Sequence, residues 1–124
     1  MSRKARVLAV DDDRLLRMSI QLVLEEQGCE VDAVPSVAKA MDFLDRRHYE
    51  VVLTDLRLPD GDGLDVIRYA RRVDPGATVL LMTASLEDLD EDRALQAGAM
   101  EVLHKGGGLS ALIDRTRGAA GLVP

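Results

Sequence analysis

Short apolar runs that alternate with amphipathic stretches constrain this chain more than any other feature. Val7-Leu8-Ala9-Val10 reads as a buried strand ended by Asp11-Asp12-Asp13. Residues 14–27 carry Leu16, Ile20, Val23 and Leu24 at helical spacing, with Gly28 as the stop. Glu30 to Val34 alternates polar and apolar residues, as a strand near a sheet edge does. Ser36 is placed to cap a helix with Val37, Ala40, Met41 and Leu44 on one face. Val51-Val52-Leu53-Thr54 is the next buried strand and ends at Asp55. Pro59-Asp60-Gly61-Asp62-Gly63 has loop chemistry, and Leu64 to Val73 is a helix closed by Asp74-Pro75-Gly76. Thr78 to Met82 is a strand, and Ser85-Leu86-Glu87-Asp88 has the form of a helix start, with that helix running to Gly98. Glu101 to His104 is a short last strand, followed by Gly106-Gly107-Gly108 and a helix over 109–117.

Strict alternation of strands and helices, with strands this apolar, requires a parallel sheet covered on both faces. The expected fold is α/β, a flavodoxin-like (βα)5 doubly wound five-stranded sheet of order 2-1-3-4-5 with right-handed crossovers. A chain of 124 residues with 47% hydrophobic residues fits one domain over 1–124. Its core is expected over about 5–117, with a tail over 118–124. The formal net charge of -6 disfavours direct nucleic-acid binding and attraction to anionic membranes. Three aromatic residues, Phe43, Tyr49 and Tyr69, offer little for base stacking. Cys29 is the single cysteine, so neither an internal disulfide nor a cysteine-based zinc site is available. The basic start is followed by a short apolar run that ends in three aspartates, unlike a signal peptide, and no apolar run is long enough to span a bilayer. A cytoplasmic protein is the expectation.

In such a sheet, ligands sit beyond the carboxyl ends of the strands where the strand order reverses. There the chain places Asp11-Asp12-Asp13, Asp55, Thr83 and Lys105. Each has an ordinary structural use: Asp13 is a natural helix cap, and a lysine after a last strand is usually solvated. Together they are harder to set aside. Converging carboxylates repel one another unless a cation sits among them, and an oxygen-only ligand set favours Mg²⁺ or a similar hard ion. That arrangement can orient a phosphoryl group and leave one carboxylate free to attack it.

Val10-Asp11-Asp12, Asp55-Leu56-Arg57-Leu58-Pro59-Asp60-Gly61-Asp62-Gly63, Thr83-Ala84 and Lys105, in this order and at these separations, resemble the receiver domain of two-component response regulators. The resemblance spans about residues 5–117. It implies a regulatory phosphoacceptor rather than an enzyme, with only intrinsic autophosphorylation and autodephosphorylation. Asp55 would accept the phosphoryl group from a histidine kinase or a histidine phosphotransfer protein. Asp12, Asp55 and the backbone carbonyl of Arg57 would ligate Mg²⁺, with Asp11 acting mainly through water. Thr83 and Ala84 would meet one side of the phosphoryl group and Lys105 another, while Arg57 and Ser85 would tune its lifetime. An output domain or effector protein would act downstream.

Two positions depart from the family pattern. Gly106 stands where the family usually has Pro, and Val102 stands at the switch position that usually carries Tyr or Phe. The Lys105–Gly106 peptide is expected to be trans, because a cis bond before a non-proline residue costs about 2.5–4 kcal/mol. At about 100° per residue, Leu15, Met18 and Leu22 form a second apolar stripe on the first helix, the expected docking surface for the phosphodonor. Glu87, Asp88, Asp90, Glu91 and Asp92 predict a mobile acidic surface on the fourth helix. His48 and His104 have no ligand partner nearby in sequence and are expected on the surface.

Two other readings stand beside this one. Asp11-x-Asp13 is similar to the opening of haloacid-dehalogenase-like phosphatases, but Leu15 occupies the place of their Thr or Val. A degenerate receiver that acts only as a docking module would not need the acidic pair, acceptor, Thr and Lys that this chain retains.

Overall fold

A computed structural model of the chain describes residues 4–85 and 91–122. Strand β1 (Arg6–Val10) leads to α1 (Arg14–Glu26), β2 (Glu30–Val34), α2 (Val37–Arg46) and β3 (Val51–Asp55). Two short strands, β4 (Arg57–Leu58) and β5 (Gly61–Asp62), precede α3 (Gly63–Val73). Then come β6 (Thr78–Thr83), α4 (Glu91–Ala97), β7 (Glu101–His104), a 3-10 turn over Lys105–Gly107 and α5 (Leu109–Ala119). The main sheet runs β2-β1-β3-β6-β7, all parallel, which is the expected 2-1-3-4-5 order of its five strands.

The sheet's two faces sort by the two-residue period of a strand. Leu8, Val10, Val52, Val79 and Leu81 join Ala40, Leu44, Leu64, Ile67, Ala70 and Ala94 in one cluster, so α2, α3 and α4 cover that face. Val7, Ala9, Val51, Leu53, Leu80 and Met82 join Ile20, Leu24, Leu112 and Ile113 in the other, so α1 and α5 cover the opposite face. Leu8, Leu53, Leu80 and Leu81 are all fully buried, and such a side chain contributes about 1.5–3 kcal/mol.

The helix starts follow from capping. Asp13 accepts from the amides of Leu15 and Leu16, and Ser36 accepts from Lys39. Asp62 and Asp65 close a capping box at the start of α3. Gly28 ends α1 with φ +94°, a left-handed conformation that glycine takes without a Cβ penalty. Asp60 adds a cap across the molecule: its carboxylate accepts from Val37 N at 2.8 Å and Ala38 N at 2.9 Å, holding the start of α2.

Three details differ from the sequence expectation. The stretch from Pro59 to Gly63 is not purely loop, because Arg57 and Leu58 pair with Asp62 and Gly61 in an antiparallel ribbon. The tail expected from residue 118 begins later: α5 continues to Ala119, Leu122 N bonds Arg117 O at 2.9 Å, and Ala119, Ala120 and Leu122 pack on the core. Apolar side chains within reach of the α1–α5 face explain that extension. Within the acidic run, Glu91 and Asp92 lie exposed at the start of α4, while Glu87, Asp88 and Asp90, and with them all but Ser85 of the helix start expected over Ser85–Asp88, lie outside the described residues. No helix among the described residues is long and apolar enough to cross a membrane.

Candidate functional site

Strand register brings the chemical groups together. Val10 pairs with Thr54, so Asp11 and Asp55 lie side by side at the carboxyl ends of β1 and β3. Asp11 N extends the ladder on its other side by bonding Val34 O at 3.0 Å. Thr83 pairs with His104, so Lys105 begins one residue beyond Thr83's level. Every residue of β3, Asp55 included, is buried.

The backbone leaves no slack around Asp55. Gly63, the second glycine of the Gly-Asp-Gly sequence, approaches so closely that a Cβ there would lie 2.3 Å from the Asp55 carbonyl oxygen and 2.7 Å from Leu81 Cδ1. Gly63 N bonds Leu56 O at 2.7 Å, and Leu56 N bonds Met82 O at 3.0 Å. The start of α3 is therefore clamped onto the acidic strand end.

Asp11, Asp12 and Asp55 each offer a carboxylate oxygen within 4.8 Å of the others. Asp11 is fully buried, Asp55 is nearly so, and Asp12 faces solvent. Lys105 Nζ bridges the first and third, at 2.7 Å from Asp11 Oδ2 and 2.9 Å from Asp55 Oδ2. The Asp55 contact is a well-directed hydrogen bond, whereas Asp11 Oδ2 has a charge partner but no hydrogen bond of good geometry. Asp11 Oδ1 accepts from Asp13 N at 2.8 Å, and Arg17 Nη1 donates to the Asp11 carbonyl at 2.8 Å.

Charge at the site is unbalanced. Three carboxylates face one ammonium, which leaves two negative charges. Burial raises the pKa of Asp55; the Lys105 hydrogen bond pulls it back, the Asp11 charge raises it again, and the net direction is upward. Burial alone would lower the pKa of Lys105, but the close ionic contacts with the Asp11 and Asp55 carboxylates carry it above the ordinary value. The ammonium therefore stays charged while Asp55 bears a real cost for ionising. The buried Asp11 Oδ2 without a hydrogen bond, the all-oxygen donor set and the excess of two charges fit a hard divalent cation.

The other residues singled out in the sequence lie on neighbouring strands, their loops and α1, in particular conformations. Arg57 opens β4 two residues after Asp55, and its backbone N–H donates to the Asp55 carboxylate. The Thr83 hydroxyl is buried and engaged by its own loop, donating to Ser85 O at 3.0 Å and accepting from Ser85 N at 3.2 Å. To bind a phosphoryl oxygen it must leave the Ser85 carbonyl. Ala84 is exposed, and Val102 is half-buried against the α2–α3–α4 face. The Lys105–Gly106 peptide is trans, like every other among the described residues. On α1, Leu15, Met18 and Leu22 are 75%, 54% and 60% exposed and line one shallow groove with Ser19, Gln21 and Glu25.

Both histidines have partners that sequence reasoning missed. His48 Nδ1 bonds Asp74 Oδ1 at 2.7 Å, and Asp74 Oδ2 accepts from Tyr49 N at 2.9 Å. His104 Nε2 lies 2.9 Å from Ala84 O. Both contacts join residues 20 or more positions apart, which no local pattern announces.

The family model for the response regulator receiver domain matches residues 7–117. The response regulator protein PilR of Pseudomonas aeruginosa is 34% identical over 105 residues, covering 85% of this chain and 23% of PilR. The virulence transcriptional regulatory protein PhoP of Salmonella typhimurium is 36% identical over 100 residues, covering 81% of this chain and 45% of PhoP. The chain thus spans less than half the length of either relative. A CheY-like receiver domain protein from Methanospirillum hungatei superposes with a TM-score of 0.86 at 26% identity, covering 96% of this chain and 95% of that one.

Proposed function

Because the chain belongs to the receiver-domain family of two-component response regulators, we propose that it takes a phosphoryl group onto Asp55 from a phosphohistidine on a histidine kinase or histidine phosphotransfer protein. The observation that carries this reading is Lys105 Nζ bridging the buried carboxylates of Asp11 and Asp55. A carboxylate so placed has a cation ready to offset both its own charge and that of an incoming phosphoryl oxygen.

An Asp55 Oδ attacks phosphorus in line. The new O–P bond forms as the P–N bond to the donor imidazole breaks, and the imidazole leaves with the bonding pair and becomes protonated. Lys105 moves its contact from Asp55 toward a phosphoryl oxygen. Thr83 releases the Ser85 carbonyl to donate its hydroxyl proton to another oxygen, beside the Ala84 amide. Asp11, Asp12, Asp55 and the Arg57 carbonyl would hold Mg²⁺, which when bound neutralises charge as the phosphoryl group and Asp55 approach. Arg57 and Ser85 flank the acyl phosphate and regulate the approach of the water that hydrolyses it, so return to the resting state is intrinsic to the chain. The role is regulatory, with no separate substrate turned over.

The Leu15–Met18–Leu22 stripe is the proposed docking surface for the phosphodonor, since it lies on the helix that begins just after the acidic pair. We assign the chain to the cytoplasm, as one receiver domain over 1–124 that controls an output domain or effector protein. Beryllofluoride titration tests the reading. Saturable, Mg²⁺-dependent binding that requires Asp55 is expected; a chain that serves only as a docking module would bind none.

A further inference from the structure

Three glycines follow Lys105, and the structure gives two of them separate reasons. Gly108 has φ +88°, where a side chain is strained. Gly106 has another constraint: a Cβ there would lie 2.5 Å from His104 Cε1 and 2.8 Å from Nδ1. The imidazole occupies the space that any side chain at 106 would take. In that position its Nε2 reaches the carbonyl of Ala84 at 2.9 Å. A carbonyl can only accept, so Nε2 carries the proton and donates. Ala84 directly follows Thr83, and His104 directly precedes Lys105. One side-chain hydrogen bond therefore ties the loop holding the hydroxyl to the turn holding the ammonium, on top of the backbone pairing of Thr83 with His104.

We propose that His104, seated by the missing side chain at Gly106, is a positioning residue that makes the Thr83–Ser85 loop and the Lys105–Gly108 turn move as one unit when a phosphoryl group binds. The inference rests on the receiver reading above. Val102, in the middle of β7, is too short to span the two loops, and the ring at 104 does so from the strand's end. Without that bond, Thr83 and Lys105 would meet the phosphoryl group independently, each ordered at its own cost.

The test compares wild type with His104→Ala, His104→Gln, Gly106→Ala and the His104→Ala/Gly106→Ala double variant. Beryllofluoride affinity is measured in excess Mg²⁺, and backbone amide resonances of Ala84, Ser85 and Gly106–Gly108 are followed through the titration. In wild type the two loops are expected to shift with one midpoint. His104→Ala should weaken binding roughly fivefold, one ordinary hydrogen bond's worth, and uncouple the shifts of the two loops. His104→Gln, whose amide can donate to the same carbonyl, should restore both readouts. Gly106→Ala should expel the ring and match His104→Ala, and the double variant should be no worse than either single. Unchanged affinity and coupled shifts in His104→Ala would overturn the proposal, as would failure of His104→Gln to rescue or additive losses in the double variant. Wild type that binds no beryllofluoride would overturn the phosphoacceptor reading and this inference with it; wild-type binding with indifferent variants would overturn this inference alone.

Discussion

Gly63→Ala is expected to damage both stability and the acceptor, by an amount that the backbone geometry sets. The new methyl would sit 2.3 Å from the Asp55 carbonyl oxygen, well inside the 3.0 Å below which real Cβ atoms are essentially never found. It would also meet Leu81 Cδ1 at 2.7 Å, in the fully buried core. Neither neighbour can swing away, since one is backbone and the other is packed. Relief requires α3 to retreat, which loosens the 2.7 Å bond from Gly63 N to Leu56 O. Overpacking costs about 1–3 kcal/mol and a weakened hydrogen bond about 1 kcal/mol, so the loss should be about 2–4 kcal/mol. Gly76→Ala is the control: nothing lies within 4 Å of a Cβ there and its φ is not left-handed, so it should be neutral or gain up to about 1 kcal/mol. Urea unfolding followed by circular dichroism, compared at equal m-values, reads the difference. Phosphorylation of Gly63→Ala should also slow, because the displaced carbonyl belongs to Asp55. Stabilities of the two variants within about 0.5 kcal/mol of each other would refute the clamp, since that is the noise level of substitutions that touch nothing.

Other perturbations test separate parts of the account. Asp55→Asn should raise the melting temperature in metal-free buffer at pH 7. The folded-state pKa of Asp55 lies above its unfolded value, so ionisation weakens the fold fully above the folded pKa and not at all below the unfolded one. The advantage of Asn should therefore shrink as pH falls through the folded pKa; an advantage constant down to pH 3 would contradict this. Asp60→Ala should lower the melting temperature at neutral pH, because the amides of Ala38 and Val37 hold the Asp60 pKa below the ordinary value. That stabilisation is present above the unfolded pKa and is lost as pH falls through the depressed folded one, so the two melting curves should converge in acid. Met18→Glu/Leu22→Glu should slow phosphoryl transfer from a histidine-containing partner while leaving labelling by a small phosphodonor intact; equal slowing of both would remove α1 as the docking surface.

What could be read in advance, and what could not, follows from the range of each interaction. Val7–Val10 and Val51–Leu53 are continuous apolar runs closely followed by aspartates, so strand, burial and site placement are all encoded within a few residues. The rule that ligands gather at carboxyl strand ends then brings Asp11, Asp12, Asp55, Thr83 and Lys105 to one edge with no knowledge of side-chain contacts. Local caps were legible where residue type and position suffice, as at Asp13 and Ser36. Asp60 looked like turn chemistry because its partners, Val37 and Ala38, are more than 20 residues earlier. The same distance hid His48–Asp74 and His104–Ala84. The sequence shows Gly106 only as a departure from the usual proline, because the imidazole that needs the space at 106 is recognisable only once β7 has placed His104. The helix end near Ala119 was missed because Gly118 marks a stop by local rules, while apolar packing of the following residues overrides it.

The central claim is that Asp55 is the phosphoacceptor and that its acidic cluster works with a divalent cation. It is tested most directly by incubating the purified chain with a small-molecule phosphodonor, with Mg²⁺ or with a chelator, and measuring intact mass alongside Asp55→Asn. The account predicts addition of one phosphoryl group, borne on an acid-stable, base-labile acyl phosphate, in wild type with Mg²⁺, and none in the chelated sample or in Asp55→Asn. Labelling of Asp55→Asn to the wild-type level, or equal labelling of wild type in chelator, would contradict it.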